Sequence, residues 1–234
     1  MLAARPQVIS SVMGIFPAAY ISQIKAAGIA WFAVVSTVRE ALSAQDAGAD
    51  VIIAQGSEAG GHRAAFEAGE AERTSTGLFA LLPAVVDAVR VPVIATGGIA
   101  DGRGVAAALT LGASAAQIGT AYLRCPEAKT NPAWADALAR TLPEDTMLTR
   151  AFSGRAGRSI ATDYARAAAA PGAPAPAPYP VQRGLSAPMR EAGGKAGDVQ
   201  RMQAWAGQSA AMARAEPAGE VTARLWREAQ ALLA

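Results

Sequence analysis

Residues 91–123 read "VPVIATGGIADGRGVAAALTLGASAAQIGTAYL", and they hold one complete strand–helix–strand unit. "VPVIATGG" (91–98) is apolar along nearly its whole length and closes on paired glycines. That is the pattern of a strand covered on both faces, and hence of a parallel sheet. Ala-rich helical spacing follows over 102–111, with Asp101 where an N-cap belongs and Gly112 just past the last turn. A positive φ at such a glycine ends a helix at little cost. "AAQIGTAY" (115–122) then begins the next strand.

Working back towards Met1, the same unit repeats. "QVISSVMG" (7–14), "IAWFAVVS" (29–36) and "ADVIIAQG" (49–56) read as strands, and 17–27, 38–47 and 77–90 as the helices between them. Thr37 is placed to cap the second helix, and Gly28 and Gly48 to end the first two. An alternating series of this kind is an α/β fold with right-handed crossovers. No GxGxxG follows the first strand, and the glycine-rich loops come after the third, fourth and fifth strands. Chemistry gathers at strand carboxyl ends in this way in a (β/α)8 TIM barrel. The expected fold is therefore an incomplete TIM barrel of five parallel strands, its strands four to eight, with a C-terminal helical extension. Residues 1–160 are expected to form the barrel part. Residues 161–234 are expected to pack on it, with "ARAAAAPGAPAPAPYP" (165–180) extended and helices over 198–214 and 220–233.

Composition narrows the function classes. The 234 residues are 52% apolar and 6% aromatic, enough for one large core of Ala, Val, Leu and Ile. A net charge of +2 from scattered basic residues leaves no nucleic-acid footprint. No apolar run approaches the roughly 20 residues of a membrane span. The opening "MLAARPQVISSVMGIFPAAY" is interrupted by Pro17 and reads as a strand running into a helix rather than a signal peptide. The one cysteine, Cys125, has no internal disulfide partner and is expected to be a small buried hydrophobe; a reducing, cytoplasmic setting fits it. HxH, CxxC and HExxH spacings are missing, so no metal is expected.

Chemistry concentrates in "AQGSEAGGHRAAF" (54–66), which carries the only histidine of the chain. Gly56, Gly60 and Gly61 let backbone approach a flat or anionic ligand without Cβ interference. His62 ends that loop, and an imidazole titrating near neutrality can take or deliver a proton there. A lone histidine more often caps a loop, but a glycine-rich loop at a strand's carboxyl end reverses that expectation. In "TGGIADGRG" (96–104), Gly97 and Gly98 end a strand and Asp101 opens a helix; in "QIGTAYL" (117–123), Gly119 and Thr120 add amide and hydroxyl donors. Either turn alone reads as a tight strand–helix connection. Two in succession favour an anion or phosphate site. Glu58, Arg63 and Arg103 are taken as solvated charges without a chemical role.

These segments, with "TRAFSGR" (149–155) and "WAGQ" (205–208), resemble the nitronate monooxygenases, formerly called 2-nitropropane dioxygenases. The resemblance runs from the first strand to the C-terminal helices and implies an FMN-dependent TIM barrel. It implies that Gln55 contacts the flavin ring or ribityl chain and that Gly60 approaches the cofactor through its backbone. Gly97 and Gly98, with Gln117, Ile118, Gly119 and Thr120, would hold the FMN phosphate. His62 matches the family's active-site histidine, which either takes the α-proton of a nitroalkane or helps bind the nitronate; O2 then re-oxidises the flavin, giving a carbonyl compound and nitrite. "WAGQ" would lie on the helical extension over the substrate pocket. Family members begin with further βα units, among them a Gln-Ala-Pro-Met type first strand, that have no counterpart here. The isolated chain is accordingly expected to bind FMN weakly or not at all, and to pair through open sheet edges as a homo-oligomer or with a separate N-terminal piece. Two other readings stay open: an FMN- and NAD(P)H-dependent enoyl-acyl-carrier-protein reductase, which shares a similar Glu-Ala-Gly-Gly-His loop, and a non-catalytic fragment that completes a split barrel.

Overall fold

A computed structural model describes every residue from Met1 to Ala234. The strands are β1 (Val8–Ser11), β2 (Ala30–Val35), β3 (Val51–Gln55), β4 (Gly61–His62), β5 (Val93–Thr96), β6 (Ala115–Gln117), β7 (Thr146–Thr149) and β8 (Gly157–Ile160). The helices are α1 (Ala18–Ala26), α2 (Val38–Asp46), α3 (Leu78–Ala88), α4 (Gly102–Thr110), α5 (Pro132–Leu138), α6 (Asp163–Ala168), α7 (Val181–Leu185), α8 (Ala187–Ala196) and α9 (Ala218–Leu233). The chain divides into two compact units. The first takes residues 1–57, 63–96 and 107–117; the second takes 58–62, 97–106 and 118–234.

The first unit is the expected five-stranded parallel sheet, in the order β1-β2-β3-β5-β6. Its helices end where the sequence says they should. Gly28, Gly48 and Gly112 take φ of +69°, +97° and +94°, and the Thr37 hydroxyl accepts from the Glu40 N–H at 3.1 Å. The core is pinned by Trp31, fully buried on β2. Its indole N–H donates to the Ser11 hydroxyl at 3.0 Å, and its backbone N–H donates to the Asp50 carboxylate at 2.7 Å. Burial on both faces, expected of every strand, holds only at the centre. Ile52, Ile53, Ala54 and Gln55 of β3 are all buried, whereas β1 exposes Val8 and Ser10, and β6 exposes Ala115 and Gln117. The sheet does not close on itself, so its outer strands lack the neighbours that would cover them.

The second unit contains a sheet that the sequence pattern did not announce: β4-β8-β7, antiparallel throughout. A two-residue strand carries no periodicity, and β8 ("GRSI") shows no alternation. The tight turn between β7 and β8 holds most of "TRAFSGR", and residues 151–159 are all buried.

Helix α9 matches the expected 220–233 segment and buries Val221, Leu225 and Ala229 along one stripe. The expected helix over 198–214 does not form. Short 3-10 turns at Val199–Arg201 and Ala210–Met212 flank an extended stretch, bridged to β8 through Ser159 and Trp205. Its N–H groups are used elsewhere: Ala206 donates to the Arg158 carbonyl, Gly207 to the Thr120 hydroxyl and Gln208 to the Glu58 carbonyl. Tertiary partners outcompete the i−4 carbonyls that a helix would supply. No helix in the chain is long and apolar enough to cross a membrane.

Candidate active site

The loop after β3 is fixed from inside by a residue that the sequence reading set aside. Arg63 is not a solvated charge; it is fully buried, and its guanidinium donates to the Gly56 carbonyl at 2.6 Å and the Gln55 carbonyl at 3.2 Å. The Gln55 side-chain oxygen accepts from the Ala64 N–H at 2.9 Å. Burying a guanidinium costs desolvation free energy, which charge-assisted hydrogen bonds to these carbonyls offset. Arg103 is largely exposed, as expected, and pairs with Asp101. Cys125 is buried, and burial pushes its thiol up, helped by the nearby Glu127 and Glu216 carboxylates.

His62 follows directly and lies in the second unit, on β4, opposite Gly157 of β8. Its Nε2 is 2.7 Å from the hydroxyl of Ser153. Two aromatic rings meet the imidazole edge-on: Trp205 with centroids 5.0 Å apart and Tyr179 at 5.8 Å. Gly157 admits the Trp205 ring, since a Cβ there would lie 2.8 Å from the indole. Burial, and then the positive charges of Arg155 and Arg183, hold the imidazole below its ordinary value of 6.5. The ring is therefore neutral at pH 7 and able to accept a proton.

The glycine turns lie in the same unit. Gly97 and Gly98, at φ of +113° and +71°, end β5 in conformations that other residues rarely take. The N–H groups of Gly97, Gly98 and Gly119 donate to no group of the chain. They are available to an anion. The N-terminus of α4, by contrast, is already filled by protein carboxylates: Gly102 N–H donates to Glu228 at 3.1 Å, and Arg103 and Gly104 N–H donate to Asp101 at 3.0 and 3.2 Å. Any phosphate held here would rest on the turns and not on the helix end.

Residues 205–209 bring these parts together. Beyond Trp205 against His62, the Gly207 N–H donates to the Thr120 hydroxyl at 3.0 Å, the Gln208 N–H to the Glu58 carbonyl at 2.9 Å, and the Ser209 hydroxyl to the Gly98 carbonyl at 2.5 Å. Gly60 is glycine for the same reason, because a Cβ there would lie 2.5 Å from the Gly207 nitrogen. One short segment thus bonds to Glu58, Gly98 and Thr120 and also packs its Trp205 on the imidazole. Gly60, His62, Gly97, Gly98, Ile118, Gly119 and Thr120 belong to this unit, while Gln55 and Gln117 close strands β3 and β6 of the other. Spacing alone missed Ser153, Tyr179 and Trp205 as neighbours of His62. "TRAFSGR" and "WAGQ" mark two of the three.

Within the second unit, one short segment braces both the glycine turns and the imidazole. The family model for nitronate monooxygenase matches residues 1–228, and the chain belongs to that family. It is 41% identical over 227 residues to the nitronate monooxygenase of Paraburkholderia phytofirmans, covering 97% of this chain and 62% of that protein. With the nitronate monooxygenase of Pseudomonas aeruginosa it shares 40% over 228 residues, covering 97% and 65%. Among solved structures it is similar to the nitroalkane oxidase from Streptomyces ansochromogenes, with a TM-score of 0.91 and 40% identity over all of this chain and 67% of that one. FabK from Thermotoga maritima gives a TM-score of 0.80 at 29% identity, covering 99% and 70%. The chain spans about three-fifths of the length of the curated relatives it matches.

Proposed function

We propose that this chain takes part in FMN-dependent oxidation of nitronates by O2, and of nitroalkanes deprotonated in place, to a carbonyl compound and nitrite. Family membership and the likeness to a nitroalkane oxidase support the reading. The observation that carries it is a neutral His62 laced, through residues 205–209, to turns whose N–H groups have no partner in the chain.

Gly97, Gly98, Gly119 and the Thr120 hydroxyl, all of the second unit, would hold the phosphate of FMN, with Ile118 beside them. The unpartnered turn N–H groups fit such an anion. When bound, FMN supplies the electron acceptor that nitronate oxidation requires. The chain's own residues do the rest. Arg155 and Arg183 provide positive charge near the imidazole, which favours an anionic substrate. Trp205 and Tyr179 wall the imidazole with aromatic surface and exclude water on those sides. His62 accepts the α-proton of a neutral nitroalkane: the C–H bond breaks, its electron pair stays on the substrate as nitronate, and the imidazole becomes imidazolium.

The test is oxygen uptake and nitrite release from a small alkyl nitronate with excess FMN. Uptake without added NAD(P)H is expected. A second reading, the NAD(P)H-dependent enoyl-acyl-carrier-protein reductase, gains weight from the likeness to FabK. Anaerobic flavin reduction by NADPH, with no nitronate turnover, would favour it.

A further inference from the structure

We infer that Trp134, on α5, is a positioning residue for His62: its indole N–H holds the Trp205 carbonyl and so keeps the Trp205 ring against the imidazole. The inference rests on the reading of His62 as a base and names a residue that acts on that base through another. All three residues lie in the second unit.

An indole N–H can only donate, so the bond from Trp134 Nε1 to the Trp205 carbonyl, 3.2 Å long, has one direction. The chain on either side of Trp205 is held by β8. The Ile160 N–H donates to the Ala204 carbonyl at 2.9 Å, and the Ala206 N–H donates to the Arg158 carbonyl at 3.3 Å. In an antiparallel pairing of this kind the residue between turns its carbonyl to the opposite edge, and there Trp134 meets it. The Trp134 ring also packs on a buried cluster of Leu138, Ala206 and Ala210. Trp205 is thus clasped between β8 and α5, with its ring over Gly157 and against His62. Helix α5 is itself anchored. The Asn131 side-chain amide donates to the Gly194 carbonyl at 2.9 Å, and its oxygen accepts from the Ala133 N–H at 3.0 Å.

The chemical consequence lies in cover rather than charge. The charges that act on the imidazole come from Arg155 in the β7–β8 turn and Arg183 on α7. Its other neighbours are the Tyr179 ring and the Ser153 hydroxyl. A change confined to the Trp134 indole leaves all of them in place. A Trp205 ring released from its carbonyl anchor uncovers one side of the imidazole. Water there stabilises the imidazolium and screens the two guanidinium groups. Both effects raise the folded-state pKa of His62 towards its ordinary value of 6.5. The base then holds its proton at a higher pH.

The chain contains one histidine, so the imidazole C2 proton is a single NMR resonance that titrates with His62 alone. The first variant replaces Trp134 by 3-benzothienylalanine, which keeps the bicyclic ring and exchanges its N–H for sulfur; Trp134→Phe is the second. In both, the titration midpoint should rise by about half a unit towards 6.5, a roughly threefold change in the acid dissociation constant. The nuclear Overhauser contact between that proton and the Trp205 indole should weaken relative to the wild type. In turnover of a neutral nitroalkane with excess FMN, the acid limb of the kcat profile should move up in pH by the same amount. A midpoint and acid limb unchanged in the benzothienylalanine protein overturn the inference, even where its stability falls, since Trp134 would then be merely structural. Should Trp134→Phe fold poorly, the isostere decides. An unshifted midpoint with turnover intact removes this inference only; a shifted midpoint in a protein whose wild type has no turnover removes the proposed function only.

Discussion

Arg63 and His62 are neighbours in the chain with opposite fates, and neither fate was written in their types. Arg63 is buried because the carbonyls of Gln55 and Gly56 converge on it, a tertiary arrangement that no local pattern encodes. His62 was legible as the lone imidazole behind three glycines, but its protonation state was not. Burial and two guanidinium charges, from residues far along the chain, set that. A pH dependence follows. The unfolded chain binds a proton at this site near the ordinary value of 6.5, while the folded chain binds it only at lower pH. The contribution of His62 to stability is therefore undiminished above 6.5. It falls as the pH drops through that value, and the loss is complete below the folded-state value. Urea midpoints measured between about pH 7.5 and 5.5 should fall in the wild type and stay flatter in His62→Asn. Equal slopes would mean that the imidazole is not held neutral.

At the scale of elements, the βα units of the first unit were legible because apolar runs, Ala-rich spacing and terminal glycines agreed with one another. Helix α9 was legible for the same reason. The 198–214 segment has helical spacing but spends its N–H groups on Thr120, Glu58 and Arg158. Helices α7 and α8 were not read, since "VQRGL" and "APMREAGGKA" carry interior glycines and little periodicity. The Pro/Ala segment shows what its composition concealed. Gly154, at φ +85°, lies so close under it that a Cβ would come within 2.3 Å of the Ala177 carbonyl oxygen and 2.6 Å of the Tyr179 nitrogen. That contact helps hold Tyr179 against His62. Gly154→Ala should push the segment away, destabilise the fold by about 1–3 kcal/mol, and speed elastase cleavage within residues 169–178. Cleavage at the wild-type rate would show that the segment is held by other contacts.

At the scale of the molecule, the order of five parallel strands could be read from the chain, while the antiparallel sheet that includes His62 could not, because its two-residue strand β4 pairs with β8 far along the sequence. The parallel sheet ends at β1 and β6, and Val8 and Val12 beside that first edge are 41% and 52% exposed. Open edges of this kind pair readily. Val8→Lys with Val12→Lys should lower the mass measured by light scattering at high protein concentration; an unchanged mass would place self-association elsewhere or deny it. The proposed function gives His62 the part of a base beside an FMN site. The most direct measurement is aerobic turnover of a small nitroalkane with excess FMN by the wild type and His62→Asn. The wild type should consume oxygen and release nitrite, and the variant should be about 100-fold slower with its affinity for FMN unchanged. Equal rates in the two proteins would contradict it.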